Sequence, residues 1–208
     1  TYHEAIDIHV PNLTVASFAG AAATTIDGVD ALKQTTVQFT ANGVTLDGFT
    51  VDNQNTVEGR AIAPQGSDGA AIVNNTIVNA YRGVQGDFYG VPTNLTIEGN
   101  TFSDTVSYGL AGTENMSLAS LAGNTFQTLV EGIGLGVGVS LDGDTTLDSS
   151  AIFDLLGEQT FELTGGYALK DYRDSTIYVV ETTTIQGAID AATPGATVLV
   201  GAGTYSEF

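Results

Sequence analysis

Four segments of this chain align with one another without gaps, and their spacing constrains the fold more than any other feature. They are VTLDGFTV from Val44, IVNNTIVN from Ile72, IEGNTFSD from Ile97 and LAGNTFQT from Leu121. The sixth residue of each segment is apolar. These residues are Phe49, Ile77, Phe102 and Phe126, and successive ones lie 28, 25 and 24 residues apart. Repeats of this length that contain short strands and turns predict the stacked coils of a solenoid.

A polar column runs between the apolar positions of the same segments. Its members are Asp47, Asn75, Asn100 and Asn124. Equivalent side chains of stacked coils lie about 4.8 Å apart and form ladders. Asparagine suits a coil corner because its amide donates to the next coil and because it tolerates a left-handed turn. We therefore predict a buried asparagine ladder with hydrogen bonds between coils.

A second register follows each segment, in the tripeptides RAI, RGV, YGL and EGI. Its apolar members are Ile62, Val84, Leu110 and Ile133, and its first members are Arg60, Arg82, Tyr108 and Glu131. In a solenoid these four first members stack at one corner and form a polar strip. Both registers predict an all-β chain, a parallel β-helix of five or six coils from Thr1 to roughly Leu141.

Two segments favour helices over strands. Ser149 to Glu158 has Ser149 or Ser150 as a candidate N-cap, and Thr183 to Thr193 has one apolar face and ends before Pro194 and Gly195. We expect three regions: coils in residues 1–141, a cap or connection in 142–174, and a β-α-β joining segment in 175–208 that starts the next β-helix.

The GNTF sequence and its variants resemble the short repeats of the right-handed pectate-lyase-like β-helix superfamily, over roughly Asn12 to Leu141. The stretch from Thr182 to Glu207 is similar to the opening of many such proteins: a capping helix, Pro-Gly, a strand and GTY.E. In the superfamily that opening precedes the first coil, whereas here it stands at the other end of the chain. The resemblance implies a right-handed parallel β-helix with a short capping helix.

The two ends of the chain also repeat each other, because Thr204, Tyr205 and Glu207 repeat Thr1, Tyr2 and Glu4. With the displaced opening, this predicts head-to-tail joining of copies, either as repeats of one long chain or as separate subunits. Residues 175–208 of one copy would dock on residues 1–15 of the next. The predicted joining residues are Thr1, Tyr2, Ile6, Ile8, Ile185, Ile189, Val198, Val200 and Tyr205.

The composition restricts the binding partners and the cellular location that we expect for this protein. Its 24 acidic and 5 basic residues give a net charge of −19, which repels nucleic acid and anionic membranes. It has no cysteine, and we find no apolar run long enough to insert into a membrane. We expect an extracellular or cell-surface structural protein of a bacterium or archaeon, with copies of itself as partners.

The resemblance also implies a second hypothesis, a polysaccharide lyase- or hydrolase-like domain or one that binds carbohydrate without turnover. Its groove would be Arg60, Arg82, Tyr108 and Glu131, for which a plain ladder of turn residues is the alternative. Hydrolysis needs paired carboxylates, and a lyase of this kind needs a base beside a neutralised carboxylate. No clustered carboxylate pair emerges from the repeat, so we assign no catalytic residue.

Two further patterns carry weaker predictions. The acidic residues of DGDTTLD, Asp142, Asp144 and Asp148, place oxygen ligands at alternating positions where Ca²⁺ could bind, although a plain acidic turn is favoured. No other cofactor is predicted. The N-x-S/T pattern marks four candidate glycosylation sites, at Asn12, Asn74, Asn94 and Asn115.

Overall fold

The structure, a computed structural model, describes residues 1–28, 34–86, 90–112, 115–127, 131–135, 140–141, 147–163 and 166–206. It is an all-β solenoid of about 7 turns with two short helices, which confirms the predicted parallel β-helix. The turns outnumber the predicted five or six because the coil register continues past Leu141 into two further strands.

The strands, in chain order, are β1 (Tyr2–His3), β2 (Ile6–Ile8), β3 (Thr14–Ala16), β4 (Thr25–Asp27), β5 (Thr35–Phe39), β6 (Thr45–Asp47), β7 (Thr50–Ala63), β8 (Ala71–Val73), β9 (Thr76–Gln85), β10 (Leu95–Glu98), β11 (Thr101–Ser103), β12 (Tyr108–Gly112), β13 (Ser117–Ala122), β14 (Thr125–Gln127), β15 (Glu131–Leu135), β16 (Ser140–Leu141), β17 (Thr160–Phe161), β18 (Tyr167–Asp171), β19 (Thr176–Val179) and β20 (Thr197–Val200). The helices are α1 (Ser149–Gly157) and α2 (Ile185–Ala191).

The coils build three faces of parallel strands. Face A consists of β1, β4, the starts of β7 and β9, β11, β14 and β17. Face B consists of β2, β5, the ends of β7 and β9, β12, β15 and β18, and face C of β3, β6, β8, β10, β13 and β16. Because successive coils pair residue for residue, like side chains stack along the axis.

The stacking is clearest in the aromatic column of face A. Phe102 and Phe126 are fully buried, with ring centroids 4.8 Å apart and planes within 3° of parallel. Phe161 continues the column, with its centroid 5.2 Å from that of Phe126. The 4.8 Å separation is the spacing of neighbouring strands, so the backbone ladder sets the distance at which the rings pack.

The asparagine ladder forms as predicted for Asn75, Asn100 and Asn124, all of which are buried. The Oδ1 atoms of these residues accept hydrogen bonds from the backbone N–H groups of Phe49, Asn75 and Asn100, at 2.9, 2.9 and 3.0 Å. Their Nδ2 atoms donate to the carbonyls of Leu46, Ile72 and Ile97, at 3.0, 2.8 and 2.9 Å. Each side chain thus satisfies both a donor and an acceptor of the neighbouring coil.

The predicted register of the first segment is wrong by two residues. Leu46 pairs with Ile72 and Val51 with Ile77, so Phe49 rather than Asp47 lies at the ladder position. Val44 and Phe49 are both buried apolar residues at the expected spacing, which is why the shifted alignment also fitted the pattern. Asp47 is half-buried instead, and its Oδ1 accepts a hydrogen bond from Asn74 Nδ2 at 3.0 Å.

The left-handed turn also lies one residue earlier than predicted. The residues with positive φ are those before the ladder, Asn74 (φ 56°), Gly99 (64°) and Gly123 (64°), and not the ladder asparagines themselves. The turn residue projects outward, while the next residue turns its amide into the corner, where it can reach the adjacent coil. The two roles that the sequence assigned to one asparagine are therefore divided between two residues.

Both predicted helices are present and slightly shorter than predicted. The N-cap of α1 is Asp148, whose Oδ1 accepts from Ala151 N at 2.9 Å, in place of Ser149 or Ser150. Three apolar residues of α1, Ile152, Leu155 and Leu156, are buried against the end of the solenoid core. α2 connects β19 to the parallel strand β20, and β19 pairs antiparallel to β18, where the parallel coils end.

The aromatic column makes a stability prediction. Replacing Phe102 by Ala leaves a cavity between two coils that cannot close without breaking the ladder on either side. We expect a loss of about 3–5 kcal/mol in the free energy of unfolding, measured by urea denaturation. Val57→Ala is the control, because Val57 is 74% exposed, and it should change the stability little. A loss below about 1 kcal/mol for Phe102→Ala would contradict the stacked core.

Candidate functional site

The polar strip lies on face B in the register that the sequence predicts. Arg60 pairs with Arg82, Arg82 with Tyr108 and Tyr108 with Glu131. Tyr167 follows Glu131 in the next coil, at the start of β18. Sequence reasoning missed Tyr167, although its tripeptide YAL repeats the form of YGL after the interruption by α1.

Two arginines meet at one neutral side chain in the strip. Gln85 Oε1 accepts hydrogen bonds from Arg60 Nε at 2.6 Å and from Arg82 Nη1 at 3.0 Å. Arg60 and Gln85 are buried and Arg82 is half-buried, so two positive charges lie close together where solvent has limited access. Gln85 directly follows Val84, the apolar residue of RGV. Because glutamine is neutral, the charge pattern of the sequence does not indicate its role.

Glu131 is the fourth residue of the strip, between Tyr108 and Tyr167, and is buried with an exposure of 3%. Its Oε2 accepts a hydrogen bond from the Tyr167 hydroxyl at 2.8 Å, and its Oε1 is buried without a hydrogen-bond partner among the described residues. Burial raises the pKa of Glu131 to about 8, against the opposing effects of the Tyr167 hydrogen bond and the Lys170 charge. At neutral pH this carboxyl group therefore holds a proton and can donate a hydrogen bond.

Aromatic and cationic groups cover the outer side of Glu131. The rings of Tyr108 and Tyr172 meet edge to face, with centroids 6.4 Å apart and their hydroxyls in contact. Arg82 lies over the Tyr108 ring at 6.0 Å and Lys170 over the Tyr172 ring at 5.2 Å. Burial raises the pKa of both tyrosines, so the hydroxyls stay neutral donors and acceptors.

The strip supplies one proton donor rather than a pair of opposed carboxyl groups. The nearest carboxylate further along β18 is Asp171, whose Oδ1 accepts from Arg173 Nε at 2.8 Å. Asp171 is buried in that ion pair, which anchors the turn after β18. The described strip can therefore hold hydrogen-bonding ligands, and it offers no carboxylate pair of the kind that glycoside hydrolysis uses.

The N-terminal end of the solenoid is open and apolar. A depression of about 460 Å³ lies there, lined by residues that include Tyr2, Ile6, Val15, Phe18 and Phe49. Phe18 is fully exposed, and Tyr2 is 58% exposed. Of the predicted joining residues at this end, Thr1, Tyr2 and Ile6 lie at the surface or close to it, whereas Ile8 is buried in the chain's own core.

The C-terminal end carries the remaining predicted joining residues. Ile185, Val198 and Tyr205 pack against a small cluster of Tyr167, Ile177, Val179 and Ala188. Ile189 and Val200 are 52% and 43% exposed, and Val200 lies on the edge strand β20. A second, smaller cleft of about 330 Å³ opens between α1, β17 and the segments that follow β19 and β20. We call it the end cleft.

The candidate glycosylation sites share one backbone feature. Asn12, Asn74, Asn94 and Asn115 all have positive φ, between 52° and 61°, and all are exposed at coil corners. Asparagine enters the left-handed region more readily than other non-glycine residues, and strands rich in threonine follow these corners. The turns thus account for the pattern, and attachment of a glycan stays a prediction.

The predicted Ca²⁺ ligands are not brought together by the described part of the chain. Asp142 and Asp144 lie outside the described residues, and the side chain of Asp148 caps α1. Within the described ranges, no group of three or more His, Asp and Glu side chains is placed to hold a metal ion. No helix in that part of the protein is long and apolar enough to span a membrane.

Comparison with known proteins identifies one family. A family model described as "Protein of unknown function (DUF1565)" matches residues 9–153, which contain the strands from β3 to β16 and the first part of α1. No curated protein and no solved structure matches the chain. The match stops before β17, so the final turn and the β-α-β segment lie outside it.

The buried carboxyl group makes a prediction about pH. The pKa of Glu131 is about 8 in the folded protein, whereas it is 4.5 for a glutamate that is exposed to solvent. Between these two pH values the folded protein therefore binds one proton more than the unfolded chain does. The contribution of Glu131 to the free energy of unfolding should therefore be fully present below about pH 4.5 and should be lost as the pH rises through 8. Glu131→Gln, which mimics the protonated form, should flatten this fall in urea denaturation series.

Glu158→Gln is the matched control, because Glu158 is exposed at the end of α1. It should leave the pH dependence of stability as it is in the parent protein. Equal pH profiles for Glu131→Gln and the parent protein would show that Glu131 is not held in its protonated form.

Proposed function

The chain belongs to the DUF1565 family of parallel β-helices, and we propose that it is a structural unit that assembles head to tail with further copies of itself. The observation that carries the proposal is that the large sheet ends in a strand with one open edge at each of its two ends. Among the described strands, β1 and β20 each pair on one side only. An open strand edge is a template for another strand, and proteins usually cover it.

The two ends also differ in what they expose, which supports a head-to-tail contact. At the N-terminal end the core is open beside Ile6 and Val15. At the other end α1 closes the core, and β19 and β20 extend face B beyond it. Two different surfaces in contact form a heterologous interface, which continues from copy to copy unless it closes into a ring.

The repeated sequence at the two ends supports the same arrangement. Tyr205 follows β20 by a few residues and repeats Tyr2, which lies in β1. Tyr205 binds its own chain, with its hydroxyl 3.0 Å from the Gly201 carbonyl. A tyrosine in the position of Tyr2 of β1 therefore already lies close to β20, at the place where the first coil of the next copy would begin.

We further propose that the assembly works outside the cell or on its surface. A net charge of −19 keeps such a stack hydrated and discourages side-by-side association between copies. The absence of cysteine makes the fold independent of the redox state of its surroundings.

Assembly is tested at the free edge of β20. Lysine on an edge strand disfavours pairing with another strand, so Val200→Lys should abolish or strongly weaken the concentration-dependent association seen by sedimentation velocity. Val57→Lys, at an exposed apolar residue of β7, is the matched control and should associate like the parent. Circular dichroism verifies the fold of each protein. A parent protein that stays monomeric at millimolar concentration would refute the proposal.

A second candidate function, binding of a hydroxyl-rich saccharide at the polar strip, is favoured by its aromatic cover. Tyr172 is 44% exposed and its hydroxyl contacts that of Tyr108, with Arg82 beside them. Aromatic faces with polar tips suit sugar rings, which present both C–H and O–H groups.

This function predicts heat of binding in calorimetry with a panel of neutral oligosaccharides. Tyr172→Ala should lose that heat, and Val200→Lys should retain it, because Val200 lies away from the strip on β20. The absence of binding to every member of the panel would leave head-to-tail assembly as the sole candidate.

A further inference from the structure

We infer that the polar strip binds a ligand through a single carboxylate group. The groups that hold it are Arg82, Glu131 and Lys170, beside the rings of Tyr108 and Tyr172. This inference goes beyond head-to-tail assembly and does not depend on it. It also differs from the saccharide candidate, because it assigns to the strip a charged group that neutral sugars lack.

Cations without a carboxylate partner are the first feature of the strip that indicates an anion. The chain has 24 acidic and only 5 basic residues, so acidic partners for its cations are abundant. Arg173 is paired with Asp171, whereas neither Arg82 nor Lys170 forms an ion pair with a described residue. Their described hydrogen bonds go to a glutamine oxygen and a backbone carbonyl, which are both neutral. The strip therefore has two positive charges that a ligand can balance.

Two polar atoms of the strip are buried and have no hydrogen-bond partner among the described residues. They are Arg82 Nε and Glu131 Oε1, and they lie on either side of Tyr108, which pairs with both residues. Because Glu131 Oε2 accepts from Tyr167, the proton that this carboxyl group holds at neutral pH lies on Oε1. Both atoms are then donors, and a buried donor without an acceptor costs free energy that a ligand acceptor would recover.

Small residues beside Glu131 bring the proton donor and a cation to the same space. The column next to Glu131 consists of Gln85, Ala111, Gly134 and Lys170. A Cβ atom built on Gly134 would lie 3.4 Å from Glu131 Oε1 and 3.0 Å from the Tyr108 ring. Oε1 is therefore directed toward the column that contains Lys170, rather than toward the core.

The side chain of Tyr172 closes this space. Tyr172 lies in the turn between β18 and β19 and is exposed, and its hydroxyl makes one described hydrogen bond, to Tyr108. Rotation of Tyr172 breaks that one bond and opens the side of the strip where Glu131 lies. The ring can then pack against the part of the ligand that carries the carboxylate.

A carboxylate is the group that matches these donors best. It carries one negative charge, and it accepts charge-assisted hydrogen bonds from guanidinium and ammonium groups as well as a hydrogen bond from a protonated carboxyl group. A phosphate group carries a larger negative charge, so the net charge of −19 repels it more strongly at long range. A neutral sugar leaves Arg82 and Lys170 without a counterion.

Benzoate and benzamide test the inference as a matched pair of probes. Benzoate combines one carboxylate with a ring that can pack against Tyr172, and benzamide is its neutral isostere. Binding is measured at about pH 6 by NMR titration of the backbone amides of residues 131–134 and 167–172. We expect benzoate to bind in the millimolar range and benzamide to bind about tenfold more weakly or not at all.

The pH dependence of benzoate binding tests the role of Glu131. An ionised Glu131 repels a carboxylate, so the affinity should fall about tenfold for each pH unit above about 8. Burial raises the pKa of the neighbouring tyrosines, so they stay neutral in this range. The charged and titratable groups that face Glu131 are Arg82, Tyr108, Tyr167, Lys170 and Tyr172.

Variants separate this site from a general attraction of anions. Glu131→Gln keeps a neutral donor, so its affinity for benzoate should stay level where that of the parent falls, whereas Glu158→Gln should follow the parent. Arg82→Gln and Lys170→Gln should each weaken binding about tenfold, with the fold of every variant verified by circular dichroism.

Three results would overturn the inference, whether or not the protein assembles. They are equal binding of benzoate and benzamide or no binding of benzoate, the same pH profile for Glu131→Gln and the parent, and tighter binding of inorganic phosphate than of benzoate. Failure of head-to-tail assembly leaves all three measurements unaffected, because the titrations are carried out on the monomer as well as on any assembled form.

Discussion

The hydrogen bonding between successive coils is the constraint on which the rest of this structure depends. At each corner the chain turns, and its backbone groups must still find partners in a place that solvent does not reach. Asn75, Asn100 and Asn124 solve this because each accepts from a backbone N–H group of the preceding coil and donates to a carbonyl of that same coil. Because one carboxamide serves two backbone groups, the corners of successive coils are locked in the same register.

That register decides the packing of the core. With the coils in register, Phe102, Phe126 and Phe161 stack at the spacing of the strands, and other apolar residues repeat the pattern on the remaining faces. Such a core depends on nearest neighbours, so each coil is supported by the coils before and after it. The first and last coils lack one neighbour. The last is covered by α1, while the first leaves Phe18 and Tyr2 exposed, and this difference between the ends supports the proposed head-to-tail assembly.

The same stacking explains the unusual chemistry of the polar strip. Glu131 stands in a column that begins with two arginines and continues with Tyr167, and the neighbouring coils exclude water from it. Its carboxyl group keeps its proton because burial disfavours the charged form, and this effect on the pKa outweighs the opposing effects of the Tyr167 hydrogen bond and the Lys170 charge. A protonated Glu131 is compatible with close packing of the coils, whereas an unpaired buried carboxylate is not.

The sequence by itself determined the fold class, the columns of face A and face B, the asparagine ladder and both helices. The columns can be predicted because residues that stack in the fold recur in the sequence at the period of one coil. It did not determine that Phe49 replaces Asp47 in the ladder, since Val44 and Phe49 have the same spacing as the true register. It also gave no sign of the shared role of Gln85, the pKa of Glu131 or the end cleft. Those depend on which side chains of distant coils share a buried space, and burial is a property of the stacked coils rather than of any one segment.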